Sequence, residues 1–451
     1  MSRYLRVLLP LILFSLTFPH DGQAQSDRPN VIVLFTDDHG TLDTGAYGAT
    51  DLETPAMDKL SETGVSFTQF YAASPVCSPS RAALLTGRDS NRTGLGANAP
   101  SRPGPGGLPS EEYTMAELFR DAGYKTAHVG KWHLGYSEGE LPNDQGFDES
   151  FGHMGGVIDN YSHFYYWGGP NQHDLWRNGE RVYHDGEYFP DLMVQEATRF
   201  IEESRDEPFF LFYAINLPHY PYQGDVEWLE YYQEKGLPYP RDLYAAFLST
   251  MDERIGQIVQ AVEALGLREE TLIVFQADHG HSTEERAHFG GGYAGEYRGA
   301  KFSLFEGGIR VPAIVSMPGT VPQGEWRDQM VHGADWFPTV ASFAGIELPD
   351  RRLDGKDLRE VILSDAPSPH EQLFWKFREQ WAVRKGDWKL IGNPWDTTER
   401  GDAPRGDGRF LANIQMDPTE RTDYRETHPE IEAELEALYE EWLRDLESES
   451  K

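Results

Sequence analysis

The sequence predicts an α/β protein with a large, mixed and mostly parallel sheet sandwiched by helices, followed by a small C-terminal antiparallel sheet with one helix. Short apolar runs alternate with amphipathic stretches from Arg28 to about Asp365. This alternation is typical of a sheet with helices on both faces. After a Ser/Pro-rich linker at Ser364–Pro369, three strand-like runs and a helix follow, and they predict the smaller sheet.

The order of these features divides the chain into three segments. We expect a signal peptide over residues 1–24, an α/β domain over 25–365 and a small α+β subdomain over 366–451. Arg3 and Arg6 precede the apolar run Val7–Phe18, which is too short to span a bilayer, and Ala24 ends a stretch of small residues suited to cleavage. A buried N-terminal helix is the alternative. We therefore expect a secreted or periplasmic protein without a membrane anchor.

Polar residues follow the apolar runs that we predict as parallel strands. In an open parallel sheet, ligands bind beyond the carboxyl ends of the strands. The predicted strands are Val31–Phe35, Thr126–Gly130, Pro208–Ile215 and Thr271–Phe275. They lead to one shared edge that should carry Asp37, Asp38, Lys131, His133, His219, Asp278 and His279.

Helix signals and apolar patterns place the remaining elements. Pro55 opens a helix that Gly64 closes, Thr114 and Glu117 form a capping box, and a long helix covers about 243–264. In the C-terminal part the expected strands are Leu373–Phe377, Trp381–Arg384 and Trp388–Ile391, with a final helix over about Glu430–Leu446.

The charge of the chain excludes two classes of partner. Acidic residues number 74 against 40 basic ones, giving a net charge of −34. Binding to nucleic acid or to an anionic membrane requires basic residues that displace counterions. We therefore predict neither partner.

The single cysteine, Cys77, is the strongest local signal. Exported chains that use cysteine usually pair it, and Cys77 has no partner. It is an inert thiol, an intermolecular link or a reactive group. It lies between the strand-like Val65–Tyr71 and the helix-like Arg81–Leu85, near a helix N-terminus that favours anions, and Arg81 adds a full positive charge.

Two pairs of candidate metal ligands predict a cation site. Asp37-Asp38 and Asp278-His279 each follow a predicted strand. Oxygen-rich ligands suit Ca²⁺ or Mg²⁺ better than zinc. Helix capping is the alternative role for such residues.

The segment around Cys77 resembles the signature of the type I, formylglycine-dependent sulfatases of the alkaline phosphatase superfamily. The resemblance covers nearly the whole mature chain. It is carried by Cys77–Arg81 with Leu84–Arg88, and by Gly130–Gly135, Gly146–Asp148, Pro218-His219, Asp278–Gly280, Gly299–Lys301, Glu306–Pro312, Asp335–Thr339 and Asp417–Glu420.

This resemblance implies a function for each matched residue. Asp37, Asp38, Asp278 and His279 would hold one Ca²⁺, which also contacts residue 77. A formylglycine-generating or other maturation enzyme would convert Cys77, and the hydrated aldehyde would attack sulfur. His133 would take a proton, Arg81 and Lys131 would orient the nucleophile, and Lys301 and His219 would bind the sulfate. Alone, either lysine or His219 would more often be a surface or loop residue.

Two positions depart from the family pattern. His279 stands where many members carry asparagine, although others carry histidine, and imidazole is a less natural Ca²⁺ ligand than an amide oxygen. A small polar sulfate contact found in some members has no clear counterpart here. The stretch Asp159–Tyr161 is its candidate.

The expected substrate is a sulfated saccharide. Aromatic side chains in the insert His153–His184 could stack on sugar rings, although core packing explains them equally well. His281, Glu284, Arg286, His288 and Arg298 could also line the pocket. The alternatives are a formylglycine-dependent phosphodiesterase or phosphonate monoester hydrolase, and a non-catalytic binder of sulfated glycans.

Overall fold

The computed structural model describes residues 28–398 and 408–449. The predicted signal peptide over 1–24 lies outside the described residues. Within them, no helix is both long and apolar enough to cross a membrane.

The strands and helices follow one another along the chain as the alternating pattern predicts. The strands are β1 Asn30–Thr36, β2 Val65–Phe67, β3 Phe70–Tyr71, β4 Lys125–Lys131, β5 Glu149–His153, β6 Phe164–Tyr165, β7 Gln172–His173, β8 Trp176–Arg177, β9 Glu180–Arg181, β10 Phe209–Ala214, β11 Thr271–Ala277, β12 Ala313–Ser316, β13 Glu325–Arg327, β14 Val331–His332, β15 Gln372–Phe377, β16 Gln380–Lys385, β17 Trp388–Gly392 and β18 Arg409–Asn413. The α-helices are α1 Pro55–Glu62, α2 Cys77–Thr86, α3 Met115–Asp121, α4 Phe189–Glu203, α5 Val226–Glu234, α6 Arg241–Ala264, α7 Glu306–Ile309, α8 Trp336–Ala344, α9 Arg359–Ser364 and α10 Pro429–Glu449.

The largest sheet has the order β13-β2-β12-β11-β1-β10-β4-β5-β8-β9. The four predicted strands form its centre, and β11, β1, β10 and β4 are all parallel to their neighbours in this group. Strands β12, β8 and β9 pair in the antiparallel sense, which makes the sheet mixed. The predicted fold class is therefore confirmed.

Apolar side chains of the central strands point alternately to two cores, one on each face of the sheet. Val31, Val33 and Phe35 belong to one core, and Ile32 and Leu34 belong to the other. Helices α2, α3, α8 and α9 contribute to the first core, whereas α1, α4, α5 and α6 contribute to the second. Burial on both faces explains why these strands are continuous apolar runs.

Around Cys77 the structure differs from the sequence prediction in two details. The predicted strand Val65–Tyr71 is two strands, because β2 pairs with β12 and β13 while β3 pairs with β14 in a separate sheet. Helix α2 begins at Cys77 rather than at Arg81. Pro79 is compatible with that start, because the N–H groups of a first helical turn have no partner within the helix.

The C-terminal sheet has the order β15-β16-β17-β18 and is antiparallel throughout. Its fourth strand, β18, was not predicted. Helix α10 packs on one face through Leu435 and Tyr439. The other face packs on the larger part of the molecule, where Tyr71 and Phe305 contribute to a shared core. The predicted linker at 364–369 lies between α9 and β15.

Candidate active site

The ends of three central strands bring the predicted acidic and basic residues to one place. Asp37 and Asp38 follow β1, Asp278 follows β11, and Lys131 is the last residue of β4. All four side chains are buried. Their meeting follows from the topology, because β1 lies beside β11 and is separated from β4 only by β10.

Cys77 reaches this place from the first position of α2. The backbone N–H of Ser78 donates to Oδ1 of Asn98 (3.1 Å), and Ser80 Oγ donates to the carbonyl oxygen of Asp278 (2.6 Å). These bonds fix the start of the helix against the end of β11. Asn98 has no motif that would have identified it from the sequence.

The thiol of Cys77 is buried among charged groups. Its Sγ lies 3.3 Å from His279 Nε2 and 3.6 Å from Asp37 Oδ1. Burial alone would raise the pKa of the thiol, but Lys131 and Lys301 outweigh it and lower this pKa to about 6. The position therefore favours an anionic or strongly polar side chain.

The carboxylates of Asp37, Asp38 and Asp278 converge on Cys77, so three acidic groups lie close together. Ligand atoms of Asp37, Cys77, Asp278 and His279 all lie within 4.8 Å of one another. A second, overlapping group joins Asp37, Asp38 and Cys77 to His219. Oδ2 of Asp278 is buried without a hydrogen-bond partner among the described residues. Burial, which is the largest cause, raises the pKa of both Asp38 and Asp278.

Asp37 differs because two cations contact it from outside the group. Lys131 Nζ lies 2.6 Å from Asp37 Oδ2, and Arg81 Nη2 lies 3.9 Å from Oδ1. Burial opposes ionisation, but the charges of Lys131 and Arg81 hold the pKa of Asp37 well below its usual range. Arg81 also donates to the carbonyl oxygen of Lys131 (2.9 Å), which ties the two basic residues together.

His279 presents one ring nitrogen to the carboxylates. Its Nδ1 lies 2.9 Å from the carbonyl oxygen of Gly280, so this nitrogen carries the hydrogen and donates it. Nε2 lies 3.5 Å from both Asp38 Oδ1 and Asp278 Oδ1. Burial would lower the pKa of His279, but Asp278 and Cys77 raise it to about 9. A metal-bound histidine commonly has its second nitrogen held by a carbonyl in this way.

Lys301 and His219 form the opposite wall. Lys301 Nζ lies 2.8 Å from Asp38 Oδ1 and 3.3 Å from His219 Nε2. His219 Nδ1 lies 2.7 Å from the carbonyl oxygen of Tyr220, which leaves Nε2 to accept from Lys301. Burial first, and Lys301 second, hold the pKa of His219 well below its usual value. Lys301 therefore carries the positive charge of this pair.

His133 lies two residues beyond Lys131 and has a left-handed backbone (φ 55°). Its Nδ1 is buried without a hydrogen-bond partner in the described part of the chain. Burial, with Lys131 and Arg81, holds its pKa well below the usual value, so the ring is neutral. A Cβ at Gly156 would lie 2.7 Å from Cε1 of His133, so a glycine is required beside this ring.

The arrangement fits a divalent cation with mostly oxygen ligands. The candidate ligands are Asp37, Asp38, Asp278 and His279, next to Cys77. Oδ2 of Asp278 has Arg81 Nη2 at 3.5 Å but no hydrogen bond among the described residues, and a cation would supply the closer partner that a buried carboxylate oxygen needs. Three carboxylates suit a hard ion such as Ca²⁺ or Mg²⁺.

The other predicted pocket residues make contacts that differ from one residue to the next. Glu284 lies 3.6 Å from Lys301 and is only partly buried. Arg298 instead contacts Asp396 (2.8 Å) and the carbonyl oxygen of Glu420, away from Lys301. Asn160 bonds through its side-chain amide to Asn216 and Gln223.

The aromatic insert approaches the site through Tyr220, whose ring lies 4.1 Å from that of His219. Trp167 lies 6.3 Å from Tyr220, and Tyr165 lies 5.9 Å from Trp167. Tyr165 and Trp167 are partly exposed. An aromatic surface therefore continues from His219 towards solvent.

Comparisons with known proteins agree with this geometry. The sulfatase family model matches residues 29–346, and the model of the N-sulphoglucosamine sulphohydrolase C-terminal region matches 295–440. Human arylsulfatase A is 36% identical over 401 residues, which are 82% of this chain and 75% of the relative. N-acetylgalactosamine-6-sulfatase from Sus scrofa is 34% identical over 401 residues, covering 83% and 74%.

A solved structure extends the likeness to the whole fold. The crystal structure of Ps i-CgsB in complex with k-i-k-neocarrahexaose superposes with a TM-score of 0.83 at 29% identity, and 92% of each chain is covered. The family match spans well over half of the chain, and it includes the strand ends that hold the buried carboxylates. The chain therefore belongs to the sulfatase family and is a sulfuric ester hydrolase.

Proposed function

We propose that this protein hydrolyses sulfate esters of sulfated saccharides with a formylglycine at position 77 and one divalent cation, Ca²⁺ first among the candidates. The single observation that carries the proposal is the buried group of Asp37, Cys77, Asp278 and His279, with ligand atoms within 4.8 Å of one another. This group would place a nucleophile at residue 77 beside a bound cation, and the proposed sulfuryl transfer uses both.

The cation would be held by Asp37, Asp38, Asp278 and His279. It would supply positive charge that neutralises the carboxylates and polarises a bound sulfate ester. Lys131 and Arg81 keep Asp37 ionised, so one strong ligand is present at any pH near neutrality. The carbonyl oxygen of Gly280 keeps the ring of His279 in the orientation that faces the carboxylates.

The fixed position of residue 77 suits a small polar nucleophile. A formylglycine hydrate there would supply an attacking oxygen and a second hydroxyl from which the aldehyde re-forms. The conversion requires a maturation enzyme that recognises the segment Cys77–Arg81. Lys131 and Lys301 already lower the pKa of the thiol, and the same charges would favour ionisation of a hydroxyl at this position.

Sulfate would bind on the Lys301 side of the site. Burial opposes the charge of Lys301, but Asp38, Cys77 and Glu284 hold its pKa well above the usual value, so it stays charged. His219 Nε2 is held 3.3 Å from Lys301 Nζ by the hydrogen bond of Nδ1 to Tyr220. Lys301 would place positive charge beside the ester oxygens, and His219, which accepts from Lys301, would orient that charge.

His133 is suited to accept a proton. Its ring is buried and neutral, and its Nδ1 has no hydrogen-bond partner among the described residues. A neutral imidazole can take a proton from a hydroxyl at position 77 during sulfate release. Gly156 leaves the space that the ring occupies.

Saccharide recognition is supported by the surface next to His219. Tyr220, Trp167 and Tyr165 form a continuous aromatic path, and their faces suit stacking on sugar rings. The relatives named as N-acetylgalactosamine-6-sulfatases and the neocarrahexaose complex support the same substrate class. Export to the periplasm or beyond, expected from residues 1–24, would place the enzyme with such polysaccharides.

A substrate panel tests this function. Enzyme with the modification at residue 77 is assayed on defined sulfated saccharides, an aryl sulfate, a phosphate diester and a phosphonate ester, with Cys77→Ala as the matched blank. We expect the largest kcat/KM on a sulfated saccharide. A larger value on the phosphonate or phosphodiester would overturn the proposal in favour of the alternative hydrolase.

A further inference from the structure

A second group of metal-binding side chains lies outside the active site, between β5 and α4. It consists of His163, His173 and Asp185, and we call it the hairpin cluster. His163 directly precedes β6, and His173 is the last residue of β7, which pairs with β6. One ligand atom of each residue lies within 4.8 Å of the other two.

A hydrogen bond fixes the ring of His163 and leaves its other nitrogen without a hydrogen-bond partner among the described residues. Its Nε2 lies 3.1 Å from the carbonyl oxygen of Glu187, so Nε2 carries the hydrogen and donates it. Nδ1 then holds a lone pair, and it is buried with no hydrogen-bond partner in the described ranges. Histidines that bind metals are usually fixed by such a bond from the second nitrogen to a carbonyl.

His173 has no hydrogen-bond partner on either nitrogen within the described residues, although it is only 6% exposed. The ring is fixed by a stacked contact with Tyr183 (4.4 Å between centroids) and an edge contact with Phe164 (5.2 Å). Its Nε2 lies 3.9 Å from Asp185 Oδ1. A buried imidazole without a partner is rare and costly, and a ligand for its nitrogen removes that cost.

The donor atoms select the type of ion. Two imidazole nitrogens and one carboxylate suit zinc, in contrast to the oxygen-rich group around Cys77. With bonds of about 2.0–2.1 Å, tetrahedral zinc places its ligand atoms roughly 3.3 Å apart. The side chain of Asp185 is 72% exposed, so it can move to close the remaining distance, and water would supply the fourth ligand.

We propose that the hairpin cluster is a zinc site that fixes the β6–β7 hairpin beside the active site. The hairpin leads from β6 directly into Trp167, which packs near Tyr220 beside His219. Zinc would join the base of this hairpin to the turn that contains Asp185. It would act as a positioning element for the aromatic surface and take no part in sulfate cleavage.

The test measures zinc bound to the full-length protein at saturating Ca²⁺, so that the site around Cys77 is occupied. Native protein is compared with Asp185→Asn and His173→Gln, and with His184→Gln as the matched control. His184 lies one residue before Asp185, is partly exposed and bonds to Glu187 rather than to the cluster. Bound zinc is counted by elemental analysis, and cobalt serves as a spectroscopic probe of tetrahedral nitrogen ligation.

We expect native protein and His184→Gln to bind one more zinc than His173→Gln. We also expect Asp185→Asn to weaken zinc binding by at least about tenfold. Zinc should raise the Tm of the native protein and leave that of His173→Gln unchanged. Because Asp185 is exposed, Asp185→Asn should match the native Tm without zinc, which separates metal loss from misfolding. Equal zinc content and equal affinity in all four proteins would overturn the proposal.

Discussion

Two buried clusters of lysine and carboxylate side chains in this molecule contain similar residues but arrange them differently. One surrounds Cys77. The other joins the C-terminal sheet to the larger domain, where Lys389 Nζ lies 2.9 Å from Glu306 and 3.0 Å from Glu420. In this second group the cation lies between the carboxylates, and Tyr71 donates to Glu306 as well (2.7 Å).

Around Cys77 the carboxylates instead face one another. Lys131 contacts Asp37 and Lys301 contacts Asp38, each from the side. Asp278 keeps a buried oxygen without a hydrogen bond among the described residues, and its nearest cation is Arg81, 3.5 Å away. We infer that the self-neutralised group around Lys389 supports the fold, and we propose that the group around Cys77, whose carboxylates converge on a shared point, takes a further cation.

The largest effect should come from removing one converging carboxylate. We expect Asp278→Asn to lower kcat/KM by about 100- to 1000-fold, the scale seen when one preorganised electrostatic contact to a transition state is lost. The cation content, measured by elemental analysis, should fall with the activity. Native activity from Asp278→Asn with no bound metal would contradict the role of this group.

Breaking the self-neutralised group should affect stability instead. Lys389→Met removes the buried cation that contacts both Glu306 and Glu420 and leaves only Arg310 (3.4 Å) paired with Glu306, which should lower the free energy of unfolding by about 3–5 kcal/mol. Denaturant unfolding measures this, and kcat of the folded enzyme should be preserved. Lys385→Met is the matched control, because its ion pair with Glu434 is exposed and should contribute less than about 1 kcal/mol. Equal losses from both variants would remove the distinction.

Lys301 allows a finer test of the group around Cys77, because it lies on the side where we propose that sulfate binds. Lys301→Ala should cost about 2–4 kcal/mol of transition-state stabilisation while the protein stays folded. Steady-state kinetics of the folded variant should show the loss in kcat/KM. A normal kcat/KM would exclude Lys301 from sulfate binding.

The smallest effect is a release of protons when metal binds. Burial raises the pKa of Asp278 to about 7 and that of Asp38 to about 8 in the metal-free site. Both carboxyls are therefore partly protonated near pH 7, and a cation must displace these protons. His279, with a pKa of about 9, must also lose a proton before its Nε2 can bind a metal, so metal affinity should rise with pH up to about 9. Calorimetric titration in buffers of different protonation enthalpy measures the released protons, and a buffer-independent heat would contradict this account.

Much of the fold followed from local sequence. The central strands are continuous apolar runs, and each prediction of the central four was confirmed because burial on both faces leaves no other pattern. Strand β18 and the division at Thr68 were missed, because short strands depend on partners distant in sequence. The start of α2 at Cys77 was misplaced by four residues, because Pro79 is compatible with both a loop and a first helical turn.

The site was only partly predictable for a similar reason. Strand ends indicated which acidic and basic residues converge, but not that Asn98 fixes the helix start or that Arg298 turns away to Asp396. Those contacts join segments that lie 20 and 98 residues apart. The hairpin cluster was missed because His163, His173 and Asp185 have no spacing that marks a metal site.

The central claim is that residue 77 of the active enzyme is formylglycine, set among carboxylates that hold a cation. Mass spectrometry of the peptide that contains residue 77, taken from active protein, tests it most directly. We predict that an aldehyde oxygen replaces the side-chain sulfur, and that activity increases in proportion to the converted fraction. Cys77→Ala should be folded and inactive. Full activity from protein in which Cys77 is quantitatively a free thiol would contradict the account.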